Sequence, residues 1–129
     1  MFNHVMLGAD DLGAAKAFYD ALFGALGAAP GRVGDSGRVV YIHGGSTFML
    51  TKPIDGKPAS CANGGTIGFR AASPDAVDAW HAAGLAQGGA LCEDPPGVRQ
   101  SASGDVYLAY LRDPSGNKIC AAHRATTAV

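Results

Sequence analysis

Apolar and polar residues alternate through His4-Val5-Met6-Leu7-Gly8, placing Val5 and Leu7 on one face of an extended segment and His4 and Met6 on the other. This predicts a first strand over Asn3–Gly8. The period then lengthens. Behind Asp10-Asp11, the residues Phe18, Leu22 and Leu26 recur four apart and form the buried stripe of a helix that Gly27 can end. After the helix a two-residue period returns, with strands expected near Gly31–Gly34, Arg38–His43 and Ser46–Thr51. Asp35-Ser36-Gly37 and Gly44-Gly45 supply the turns between them.

The same succession of periods occurs twice. A shift of 62 positions lays His4–Ala28 on Thr66–Ala90 without a gap, and six of the 25 pairs are identical, among them Ala9/Ala71 and Gly27/Gly89. Alanine matches come easily in so alanine-rich a chain, so agreement in role carries more weight: Val5 meets Ile67, Leu7 meets Phe69, and Phe18 meets Trp80. The second copy opens with a strand over Thr66–Arg70. A helix follows, with Ser73 as cap, Pro74 in its first turn and Asp75 at its positive end. Further strands are expected near Ala90–Glu93, Asp105–Arg112 and Lys118–His123, the last two joined by the turn Asp113-Pro114-Ser115-Gly116-Asn117. Lys52–Gly65, rich in Pro, Gly, Ser and Ala, joins the copies. The expected organisation is therefore one domain, with module one at 1–51, a linker at 52–65 and module two at 66–123. A copy of about 50 residues buries too little surface to stand alone, so the two fold together. The fold class is α+β: two tandem βαβββ modules forming a curved mixed sheet around a concave cavity, which is the natural place for a ligand.

Composition narrows the partners. The chain has 129 residues, 47% apolar and 16% charged, and a formal net charge of −1. That excludes a disordered chain and leaves no basic run for nucleic acid or an anionic membrane surface. No apolar run reaches the roughly 18 residues of a membrane span, and the N-terminus lacks the charged and apolar regions of a signal peptide. Cys61, Cys92 and Cys120 are odd in number and widely spaced, so neither a disulfide framework nor a zinc ribbon is indicated. A reducing cytoplasm and a small-molecule partner are the expectation.

Three stretches now acquire meaning together: His4 in an opening strand, Ala17-Phe18-Tyr19-Asp20-Ala21-Leu22 in the first helix, and Tyr110-Leu111-Arg112-Asp113-Pro114-Ser115-Gly116-Asn117-Lys118 near the end. With the doubled βαβββ order they resemble the glyoxalase/bleomycin-resistance/extradiol dioxygenase (vicinal oxygen chelate) superfamily, and within it the small glyoxalase-like proteins. The resemblance covers nearly the whole chain. It implies a homodimer, and it implies one divalent metal ion (Zn, Ni, Fe or Mn) on the concave face, held by the first and last strands of each module and polarising two substrate oxygens. Carried over by position, His4 matches the first ligand, Thr66 its counterpart in module two, Met49 with its neighbours Leu50 and Thr51 the last strand of module one, and Cys120 the place of a carboxylate. Only His4 and Cys120 are good donors, fewer than the three a catalytic metal ordinarily needs.

Each candidate has a plain structural alternative. His4 is a candidate metal ligand or general base, or a histidine bonded to backbone or water. Cys120 is a nucleophile or soft ligand, or a buried inert thiol. Arg70 offers a bidentate fork to a carboxylate or phosphate, or points into solvent. Arg99 lies in a long segment, Asp94–Gly104, read as a loop that closes over the cavity or simply moves. Tyr107 and Tyr110, three apart on a strand, face opposite ways, and Tyr107 is favoured for the cavity. His123 falls on the face opposite Cys120, while His43 is open to either face. Tyr19 and His81 are expected at helix edges.

These readings lead to a protein that binds a small polar organic molecule in the concave cavity. Two alternatives stand beside it: a divalent-metal-dependent lyase, isomerase or dioxygenase, and a non-catalytic protein that sequesters a drug or metabolite.

Overall fold

Asp11 starts the first helix: its Oδ1 accepts the Ala14 N–H at 2.9 Å, satisfying a donor the helix cannot use internally. Ser73 does the same in the second module, accepting from Ala76 N at 3.1 Å. The computed structural model describes residues 1–125. In the first module it contains β1 (Val5–Gly8), α1 (Leu12–Gly24), β2 (Arg32–Val33), β3 (Val39–His43) and β4 (Ser46–Thr51). The second contains β5 (Ile67–Arg70), α2 (Pro74–Ala86), β6 (Ala90–Leu91), β7 (Gly97–Ser101), β8 (Gly104–Arg112) and β9 (Lys118–His123).

The repeat in the sequence is a repeat in space. β1 and β5, and likewise α1 and α2, are related by the same 62-residue shift end to end. The sheets have matching strand orders, β1-β4-β3-β2 and β5-β9-β8-β6, with the outermost pairs β1/β4 and β5/β9 parallel and the rest antiparallel. The architecture is thus α+β with two mixed, open and curved sheets.

One element breaks the correspondence. The segment expected as a loop over Asp94–Gly104 contains β7, which pairs with β8 from Gly97↔Leu108 to Ser101↔Gly104. The prolines and serines at its ends hid an extended stretch, Gly97–Ser101, that closes on β8 through a turn at Gly104 (φ +109°). The β8 strand is nine residues long, enough to hold β6 and β7 one after the other along the same edge.

A single apolar cluster runs through both modules. Phe18 of α1 and Leu111 of β8 both crowd Gly84 of α2, where a Cβ would collide with Leu111. Phe23 and Phe48 stack edge-to-face on Phe69 of β5, with centroids 4.8 and 5.4 Å away. The modules therefore share their core. Tyr19 and His81, expected at helix edges, are instead buried, because α1 and α2 pack on each other as well as on their sheets.

Candidate functional site

Burial fixes which face of each sheet is free. In the first sheet Val39, Tyr41, Phe48 and Leu50 point inward and are buried. Alternation then sends Met6, Met49, Val40 and Arg32, register neighbours across four strands, to the opposite and uncovered side. Ile42, 70% exposed, shares that face. His43 has the parity of Tyr41 and so belongs to the helix side, at its exposed end.

In the second sheet Ala109, Leu111, Ile119 and Ala121 point inward with no exposure. The outward row runs Gly68–Cys120–Tyr110, flanked by Arg70–Ala122–Leu108 and by Lys118–Arg112. This settles the two tyrosines, and it corrects the expectation for Tyr107. Tyr107 lies on the helix side, where its hydroxyl donates to Asp78 Oδ1 of α2 at 2.8 Å. Tyr110 is the tyrosine of the open face. Apolar residues on both faces of β8 left the sequence ambiguous; the zero exposure of Ala109 and Leu111 decides it.

Around Tyr110 the open face of the second sheet gathers its polar groups. Lys118 Nζ stands 4.9 Å from the Tyr110 ring centroid and is ion-paired with Glu93. Glu93, which precedes the Asp94-Pro95-Pro96 turn, has a left-handed backbone (φ +59°), the only non-glycine to do so among the described residues. Burial, with the nearby Cys120 and Glu93, raises the Tyr110 phenol above its ordinary value. The Cys120 thiol is 7% exposed, and burial pushes its pKa up to about 11. It therefore stays a protonated thiol at neutral pH, a weak nucleophile and a weak ligand. Gly68 lies against it: a Cβ there would come within 3.2 Å of Cys120 Sγ.

The remaining candidates scatter. His4 stands one residue before β1, exposed, its Nδ1 2.9 Å from Asn3 Oδ1. Thr66 stands one residue before β5 and is also exposed. Met49 is half-buried at the centre of the first sheet's open face. Arg99 is not in a loop but in β7, with the parity of Val106; its guanidinium donates to the carbonyls of Asp94 and Pro95 at 3.0 and 2.9 Å, which ties down the turn before the strand. His123 Nδ1 lies 3.0 Å from Ala71 O at the end of β9. Glu93 and Lys118 join the open-face site without a signal in the sequence. Their pairing joins positions 25 apart, which no local spacing signals.

These residues do not fit a tightly held divalent metal. Among the described residues no three His, Cys, Asp or Glu side chains converge. Of the four positions carried over, one is an imidazole, one a thioether, one a hydroxyl and one a thiol that burial keeps protonated. A cation that normally takes three imidazole, thiolate or carboxylate ligands finds one good donor here.

Two open hollows flank the sheets. One, of about 240 Å³, is lined by Ala29, Pro30, Arg32, Val40 and Ile42 of the first module. The other, of about 710 Å³, lies at the end of β5 and β9. Each is lined by one sheet alone. Among the described residues no helix is long and apolar enough to cross a membrane.

The Glyoxalase/Bleomycin resistance protein/Dioxygenase superfamily model matches residues 1–121. A crystal structure of a glyoxalase/bleomycin resistance protein from Albidiferax ferrireducens T118 is 57% identical, with 96% of this chain and 99% of that one covered and a TM-score of 0.92. A lactoylglutathione lyase from Agrobacterium tumefaciens is 26% identical over 95% of this chain and 92% of its own, with a TM-score of 0.62. A virulence protein from Salmonella typhimurium, 21% identical over 97% of both chains with a TM-score of 0.67, has the same fold. No curated protein matches the chain.

Proposed function

Because this chain belongs to the glyoxalase/bleomycin resistance protein/dioxygenase superfamily, we propose that it binds a small polar organic molecule on the open face of its sheets, without a tightly held divalent metal. One observation carries the reading: the outward face of the second sheet sets Tyr110, Lys118 and Arg70 around an apolar floor of Leu108, Cys120 and Ala122, with no helix over it. A few oriented polar groups on an apolar wall are the usual make-up of a small-molecule site.

The binding unit is a homodimer. Met6, Val40, Ile42 and Met49 leave the first sheet with an apolar outer face, and β1 and β5 each have an unpaired edge. A second copy laid over these faces turns two open walls into an enclosed one. Sedimentation should give a mass of two 13.0 kDa chains, and Ile42→Lys should shift it toward one.

A thermal-shift screen with small aromatic and carboxylic compounds, run with and without EDTA, tests the reading. Stabilisation that chelation leaves unchanged supports it; saturation near a hundred times the dissociation constant adds about 2.7 kcal/mol. Stabilisation that EDTA abolishes overturns it in favour of a metal-dependent lyase, isomerase or dioxygenase. That second reading draws on His4, the one imidazole among the positions carried over, which stands one residue before β1.

A further inference from the structure

The larger hollow follows the outer edge of β5, where it is lined by residues 68–72 and by residues 122–124 at the end of β9. Its charged or ionisable side chains are Arg70, His123 and Arg124, and no acidic residue lines it. Elsewhere on the surface Lys16 is paired with Asp20 and Lys118 with Glu93. Among the described residues neither Arg70 nor Arg124 has a carboxylate partner. Arg124 is nonetheless steadied, since its Nη1 donates to Ser101 Oγ of β7 at 3.3 Å and leaves its other N–H groups for a second acceptor. The Ala71 carbonyl can only accept, so His123 donates to it from Nδ1.

The backbone adds donors. Ala71 N–H is spent on Ala122 O at 2.8 Å, inside the sheet. Alternation along the strand then turns the N–H and C=O groups of Gly68 and Arg70 to the other edge, and β5 is the end strand of its sheet. Two arginines without acidic partners, beside the outward N–H groups of Gly68 and Arg70, favour an acceptor-only, negatively charged group.

We propose that this hollow is an oxyanion subsite that takes the carboxylate or phosphate of the bound molecule, held by Arg70 and Arg124 over the β5 edge. The proposal rests on the open-face reading above, which it narrows to an anionic ligand.

Three probes of the same ring separate the possibilities in the intact protein by amide NMR: benzoate, phenyl phosphate and the neutral benzamide. The expected result is that both anions shift the Gly68 and Arg70 amides saturably while benzamide does not. Arg70→Gln and Arg124→Gln should each weaken that binding about tenfold, as loss of a charge-assisted bond does, with Arg70→Lys retaining part of it. The tighter anion names the source, carboxylate or phosphate monoester. Equal shifts from benzamide, or anion shifts that survive both glutamine variants, overturn the proposal. Shifts confined to Tyr110, Lys118 and Cys120 also overturn it while keeping the open-face reading. Silence across the whole second sheet with all three probes overturns both. Dispersed amide spectra of each variant establish that it is folded.

Discussion

The Tyr19 hydroxyl, at the centre of α1, donates to Asp113 Oδ2 at 2.7 Å across 94 residues of sequence. Asp113 also accepts from the backbone N–H groups of Ser115 and Asn117 and from Asn117 Nδ2, and that same amide reaches Gly8 O at the end of β1. One buried carboxylate thus ties the turn between β8 and β9 to the helix and first strand of the other module. Burial and the neighbouring carboxylate hold the Tyr19 phenol well above its ordinary pKa, so it remains a donor at any working pH.

Tyr19→Phe removes the donor and leaves a buried carboxylate oxygen with one partner fewer. The expected loss is about 1–3 kcal/mol, read as a lower urea midpoint with an unchanged slope. Asp113→Ala should cost more, because it strands the donors of Tyr19 and Asn117 together.

Module contact depends equally on what is missing. A Cβ at Gly89 would lie 2.7 Å from Phe18 Cε1 and 2.8 Å from Gly84 O, the latter a backbone atom that cannot step aside. Gly89→Ala should therefore destabilise by about 1–3 kcal/mol through overpacking. Gly24→Ala, where nothing lies within 4 Å, is the matching control and should not destabilise.

The succession of elements was legible in the sequence because period and repeat agreed with each other. Two copies offset by 62 residues share strand, cap, helix and stop, and Phe18 and Trp80 keep the same buried role. The Tyr19 and Asp113 stretches that suggested the family turn out to touch. Less could be read of the open face. Met49 and Cys120 reach it by alternation alone, but β8 is apolar on both faces, so Tyr107 and Tyr110 exchanged places. The Glu93–Lys118 pair joins positions far apart in sequence and leaves no periodic trace, and Gly97–Ser101, with Val98 its one large apolar residue, gives the β7–β8 hairpin no alternation to read.

Thiol chemistry should follow burial. Cys61 is exposed, whereas Cys120 is buried with its pKa pushed up to about 11. A maleimide at pH 7.5 should label Cys61 well before Cys120, and Cys120 should react fully only after denaturant is added. Mass spectrometry of the digested protein distinguishes the sites.

His81 gives the protein a pH dependence. Its burial in α2 against the helix pair lowers the imidazole pKa below 6.5, with Asp78 opposing the shift in part. Below about pH 6.5 the unfolded chain binds a proton that the folded one refuses, so stability falls with pH in that window and levels off once the folded group also titrates. Above it the term vanishes. The difference in unfolding free energy between wild type and His81→Gln, followed from pH 7.5 to 5, should shrink toward acid by no more than about 1.4 kcal/mol per pH unit.

Among these, the absence of a tight divalent centre bears most directly on what the protein does. Elemental analysis of protein purified without chelator and dialysed against metal-free buffer measures it. Far less than one Zn, Ni, Fe or Mn ion per chain is the predicted result, with His4→Ala making no difference. Close to one ion per chain, retained through dialysis and lost in His4→Ala, would contradict the account.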